Sequence, residues 1–105
     1  MQLTDNDILN SVRIKLQVLA PNARALLFGS RARGNAMPDS DWDILVLLNK
    51  NKIETSDYDN IAYPLFELGW SLEHNFSIKL YTVKEWEKRS FTTFYKNVEQ
   101  EGIVL

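Results

Sequence analysis

The sequence predicts one α/β or α+β domain. Apolar stripes of helical spacing alternate with short runs of strand character, in the order helix, strand, strand, helix, strand, helix, helix. At 105 residues, 45% of them hydrophobic, the chain suits a single core, with no internal repeat, low-complexity tract or linker to divide it. The expected domain is residues 1–105 as one unit.

The first helix opens at Thr4, with Asp7 three residues on in the spacing of a capping box, and Ile8, Val12, Leu16 and Leu19 form its stripe. Pro21-Asn22 stops it. Arg24 to Phe28 is a short apolar run of buried-strand character ending at Gly29, and a polar stretch of small residues follows to Ser40. From Asp41 the pattern alternates. Asp41, Asp43, Leu45 and Leu47 share one face, Trp42, Ile44, Val46 and Leu48 the other, so this strand carries two acids at its leading end. Residues 49–52 form a loop, and Ser56 with Asp59 offers another capping start. The stripe Ile61, Leu65, Leu68 and Leu72 then predicts a helix kinked or broken near Pro64. Phe76, Ile78 and Leu80 alternate with Ser77, Lys79 and Tyr81 in a third strand. Thr82 and Glu85 cap a short helix, and Phe91, Phe94, Tyr95 and Val98 mark a last one ending near Gly102.

A net charge of −2 argues against non-specific nucleic-acid binding by a basic surface. The total hides an asymmetry. Residues 8–38 hold no acid and carry Arg13, Lys15, Arg24, Arg31 and Arg33, and the basic stretch ends at Asp39, Asp41 and Asp43. No cysteine is present, which excludes disulfides and thiolate metal sites. Short apolar runs and an acidic start with Thr4, Asp5 and Asp7 predict neither signal peptide nor membrane span, and the expectation is a soluble cytoplasmic protein.

Three chemistries compete for residues 28–46. A P-loop needs Lys and Ser or Thr where Asn35 and Ala36 stand, although Gly29 and Gly34 have the right separation. A calcium loop starting at Asp39 needs Gly where Ile44 stands and Glu where Lys50 stands. A metal-dependent nucleotidyl-transfer site meets neither obstacle. Asp41 and Asp43, two apart on a strand, project from one face and can hold hard cations. Two metals about 3.5–4 Å apart clamp the attacking and leaving oxygens of an in-line phosphoryl displacement. Gly29 lets backbone approach phosphate, Ser30 offers a hydroxyl and amide at a helix start, and Arg31 and Arg33 can neutralise a triphosphate.

Gly29-Ser30, a ten-residue gap and Asp41-x-Asp43 resemble the signature of the DNA polymerase β-like nucleotidyltransferase superfamily. The fuller pattern, Gly29-Ser30-Arg31-Ala32-Arg33-Gly34 followed by Ser40-Asp41-x-Asp43-x-x-Val46, is similar to its minimal nucleotidyltransferase branch. The resemblance implies a small mixed sheet flanked by helices. It implies that Gly29 and Ser30 hold the β and γ phosphates of a nucleoside triphosphate, with Arg33 carried toward them, and that Asp41 and Asp43 bind magnesium. It also implies an Mg-dependent nucleotidyltransferase, passing a nucleoside monophosphate to a hydroxyl of a protein, nucleic acid or small molecule. Nucleic acid enters only as acceptor. The minimal branch commonly pairs with a helical HEPN-type protein as toxin and antitoxin, so a protein partner is implied, and a non-catalytic antitoxin-like module is the alternative function.

The resemblance implies a third carboxylate, which active members usually place on a later strand, whereas the polar face of the third strand here offers Ser77, Lys79 and Tyr81. Glu67 or Glu73 from the preceding helix are the remaining acids within reach. Asp39 reads as a turn residue, and His74, the one histidine, as a structural loop residue. Trp42, Trp70, Trp86, Phe91, Phe94 and Tyr95 read as packing residues, with a subset at the C-terminal helix as a candidate partner surface.

Overall fold

The computed structural model describes residues 3–105. Among them four strands, Arg24–Phe28 (β1), Trp42–Leu48 (β2), Phe76–Thr82 (β3) and Ile103–Val104 (β4), form a mixed sheet in the order β3-β2-β1-β4 that separates two apolar clusters. β1 (Arg24–Phe28) pairs antiparallel with β2 (Trp42–Leu48), and β2 pairs parallel with β3 (Phe76–Thr82). The expected alternation of β2 holds. Trp42, Ile44, Val46 and Leu48 enter one cluster with α1 (Asp5–Leu19), while Leu45 and Leu47 enter the other with Trp86 and Val98. A strand buried on both faces by such side chains is why β2 reads as a nearly unbroken apolar run after Asp43.

Local chemistry sets the helix starts. The Thr4 hydroxyl accepts from the Asp7 amide at 3.1 Å and the Asp7 carboxylate from the Thr4 amide at 2.9 Å, the predicted capping box of α1. Thr82 and Glu85 close the same reciprocal pair at α5 (Val83–Lys88). The second capping start needs correction. Glu54 and Asp57, not Ser56 and Asp59, form the box that opens α3 (Thr55–Asp57), since Lys50 holds the Asp57 carboxylate at 2.9 Å and aims it at the Glu54 amide.

The expected irregularity at Pro64 lies just upstream of it. A π-helical turn, Tyr58–Ala62, joins α3 to α4 (Tyr63–Ser71), and the Tyr63 amide donates five residues back to the Tyr58 carbonyl. Widening the turn before a residue that lacks an N–H lets the chain stay helical through Pro64. The last helix, α6, runs Thr93–Glu101 from a Thr92 cap, leaving Phe91 in the turn before it. β4 (Ile103–Val104) follows and pairs antiparallel with β1, an edge the periodicity did not predict.

Of the aromatic residues expected to pack, Trp42 and Trp86 are buried. Trp70 and Phe91 are corrected: both are exposed, Phe91 because it sits outside the helix and Trp70 because it lies on the outer side of α4, against Tyr63 and Phe66. No helix of the described residues is long and apolar enough to cross a membrane.

Candidate functional site

The site forms where β1 ends beside the start of β2. Gly29 adopts φ +75° and ψ −158°, a region essentially reserved for glycine. A Cβ there would run into the Asp43 carboxylate, because the ladder pairs Phe28 with Asp43 and brings that side chain over the turn. Ser30 then opens α2 (Ser30–Arg33). The first amides of a helix have no intrahelical partner. With only one turn in α2, these amides and the Ser30 hydroxyl are what the turn offers an anion, rather than an accumulated dipole.

Asp43 is half-buried in β2, and Asp41, expected as the first strand residue, instead lies exposed just before Trp42. Burial pushes the Asp43 carboxyl above its ordinary value and the neighbouring Asp41 carboxylate pushes it further, while the Lys79 ammonium and Arg33 guanidinium oppose them. Three charged side chains therefore act on Asp43 here. Two repelling carboxylates, one partly desolvated, are a donor set that a hard cation relieves, with phosphate oxygens and water filling its other positions. By residue type they could hold one hard cation. Among the described residues no third His, Cys, Asp or Glu joins them into a larger cluster.

The ladder partner of Asp43 on β3 is Ser77, and Lys79, two residues on, is exposed yet close enough for its charge to act on Asp43. Glu67 is exposed on α4. Glu73 lines a different cavity, with Asp5, Arg31 and His74.

The two arginines part company. Arg33 is exposed near Asp43, with Nη1 at 3.5 Å from the Glu101 carboxylate of α6. Arg31, expected to face a triphosphate, instead has its side chain largely enclosed, 7% exposed. Its guanidinium lies 4.7 Å from the Trp42 ring centroid, and its Nη2 donates to the Pro38 and Ser40 carbonyls, both at 3.0 Å. Those bonds commit its Nη2 to the loop that carries Asp41, while Nη1 lies 3.8 Å from the Asp5 carboxylate of α1, so Arg31 ties that loop to the first helix. His74 accepts the Trp42 indole N–H at 3.3 Å, the structural role expected of it, and Asp39 is exposed.

The family described as polymerase beta, nucleotidyltransferase matches residues 15–105. The chain belongs to this nucleotidyltransferase family. The nucleotidyltransferase fold recurs in a crystal structure of a toxin–antitoxin with AMP-PNP, at TM-score 0.62 and 23% identity over 90% of this chain and 69% of that one. It recurs in a mutant of the toxin–antitoxin MntA-HpeT, at TM-score 0.58 and 24% identity over 99% of this chain and 72% of that one. No curated protein matches the sequence.

A second feature adjoins Gly29. Phe28, Arg33, Phe94, Asn97, Val98 and Glu101 close with it around a cleft of 220 Å³. Nothing local in the sequence marks it, because it joins a turn to a helix more than sixty residues later through the pairing of β1 with β4 and the packing of α6.

Proposed function

We propose that this protein binds magnesium and a nucleoside triphosphate at the junction of Gly29 and Asp43, and transfers the nucleoside monophosphate to a hydroxyl on a helical HEPN-type partner. It would act as the minimal nucleotidyltransferase of a toxin–antitoxin pair, in the cytoplasm. One observation carries this: the Asp43 carboxylate is seated against a turn that only glycine can make, with Asp41 and Arg33 acting on it.

Asp41 and Asp43 would hold the metal, which supplies charge neutralisation to the phosphates. Ser30 and the amides at the start of α2 bind phosphate oxygens through hydrogen bonds that need no protein charge. Arg33 exchanges Glu101 for a phosphate, since an exposed ion pair gives up its partner at little cost. Arg31 holds the loop of Asp41 in place. In the transfer the acceptor oxygen bonds to the α-phosphorus, the bond to the β-phosphate oxygen breaks, pyrophosphate leaves and the hydroxyl proton passes to water. Two structural neighbours that are toxin–antitoxin assemblies, one of them solved with AMP-PNP, support the partner and the nucleotide.

Ser77 and Lys79 favour a second reading. Where a third acid would complete a two-metal site, the ladder neighbour of Asp43 is a hydroxyl and the nearby charge is positive. That environment suits a non-catalytic antitoxin-like module that retains the fold and acts by pairing alone.

Mass spectrometry of a HEPN-type partner incubated with the protein, magnesium and each of the four triphosphates separates the two. Transfer predicts a nucleotide adduct on the partner and released pyrophosphate, both lost in Asp41→Asn and Asp43→Asn. Complex formation with neither product would leave the pairing module as the function.

A further inference from the structure

We propose that two copies of this chain associate through the outer faces of α1 and α4, with α1 of each copy lying on α4 of the other about a two-fold axis. Both helices cover the same side of the sheet. Ile8, Val12 and Leu16 of α1 share one apolar cluster with Leu65 of α4, and α1 packs beside both α4 and the π-helical turn that leads into it. Their outward surfaces therefore form one layer.

That layer keeps apolar side chains in water. On α4, Tyr63 and Trp70 are 52% and 56% exposed, with Trp70 stacked on Phe66 at a centroid distance of 6.3 Å and edge-on to Tyr63 at 6.1 Å. On α1, Ile14 and Val18 lie one turn apart and are 69% and 75% exposed. Rings already ordered against one another lose little further freedom when covered, and Trp and Tyr are side chains that anchor interfaces.

Charge selects the occupant. Residues 53–78 contain no Lys or Arg, and Asp59 and Glu67, about a turn before and after Tyr63, are exposed. Residues 8–38 contain no acid, and Arg13, beside Ile14, is exposed with its guanidinium on the Asn10 side chain. The chain pairs Arg24 with Glu99 and Lys50 with Asp57, whereas Arg13, Asp59 and Glu67 enter no ion pair among the described residues. A basic aliphatic face beside an acidic aromatic one is its own complement. A two-fold axis brings Arg13 and Ile14 of one copy to Trp70 and Glu67 of the other and repeats the contact, adding a guanidinium over an aromatic ring. A partner of one charge sign would be repelled by one of the two helices.

Size sets the strength. α1 and the helical stretch 55–71 are each about 22–25 Å long and about 10 Å wide, so together they offer on the order of 450 Å² in projection. Stable interfaces bury about 800 Å² of accessible surface per partner, which puts this one among the weak, reversible associations. Asp43 shares its face of β2 with Leu45 and Leu47, opposite the side that α1 and α4 cover, so the candidate site stays open in the dimer.

Sedimentation velocity over about 1–500 μM, the range of a weak complex, tests this. The wild type should pass from monomer to dimer. Trp70→Ala, which removes an exposed ring, should weaken association at least about thirtyfold, the scale of an interface hot spot. Arg13→Glu and Glu67→Lys each place like charges in both contacts, so each should remain monomeric alone. Mixed in equal amounts, the two should associate as the wild type does, because a pair of one copy of each has opposite charges in both contacts. Association of the mixture also shows that the single variants are folded. A wild type that is monomeric throughout, a dimer that these variants leave unchanged, or a mixture that stays monomeric overturns the interface.

Discussion

At the scale of single residues, the site turns on which glycine is indispensable. Gly29 and Gly34 both have positive φ, at +75° and +80°, but their surroundings differ. A methyl group at Gly29 meets the Asp43 carboxylate, while one at Gly34 meets nothing within 4 Å. Gly34→Ala should therefore cost about 1–2 kcal/mol of backbone strain and leave nucleotide binding intact. Gly29→Ala adds displacement of Asp43 to strain of about 1–3 kcal/mol, and should abolish magnesium-dependent nucleotide binding. Urea unfolding and titration calorimetry on both variants check this, and equal binding by the two would sink the assignment of Asp43. The meeting of Gly29 with Asp43 was legible in the sequence because a short loop returns the chain to pair the end of β1 with the start of β2, whereas Asp41 acts on Asp43 from just outside the strand. The role of Arg31 was not legible. Its spacing from Arg33 permits either a phosphate or a loop as partner, and the burial of Trp42 beneath it decides for the loop.

Among the elements, strands and long helices were legible and their joints less so. The faces of β2 and the boxes at Thr4 and Thr82 rest on contacts within a few residues. The box at Glu54 was obscured because its deciding contact is with Lys50, in the preceding loop, and Ser56 offered an equally good local pattern. β4 was illegible because two residues show no period and exist as a strand only against Leu26 and Leu27. The end of α4 holds an opportunity. His74 donates to the Gly69 carbonyl at 2.9 Å and Glu73 to the Trp70 carbonyl at 3.0 Å, the bond pair of a Schellman cap. Glu73, at φ +62°, occupies the left-handed position that glycine fills without strain. Glu73→Gly should stabilise the protein by about 1 kcal/mol in urea or thermal unfolding. A lower midpoint would mean that Glu73 has a side-chain role beyond the cap.

For the whole molecule, the question is what keeps α6 against the sheet, since α6 carries Phe94 and Asn97. Glu99 joins three elements: Arg24 of β1 donates to both its carboxylate oxygens, at 3.0 and 2.9 Å, and the indole of buried Trp86 in α5 donates at 2.7 Å. The Arg24 hydrogen bonds hold the Glu99 carboxyl below its ordinary range against the opposing effect of burial, and the Trp86 bond adds to them. A group depressed on folding stabilises the protein fully above its unfolded pKa, about 4.3 for glutamate, and that contribution is lost as pH falls through the lower folded value. Glu99→Gln keeps an acceptor for the Trp86 indole and removes the charge. At pH 7 it should cost about 1 kcal/mol, the upper range for a partly exposed pair strengthened by bidentate geometry. As the pH drops below about 4 the wild type loses the same interaction, so the two urea-unfolding curves should converge. A gap that stays constant down to pH 3 would show that Glu99 acts through shape alone, and that α6 is held to the sheet by its apolar contacts rather than by this charge.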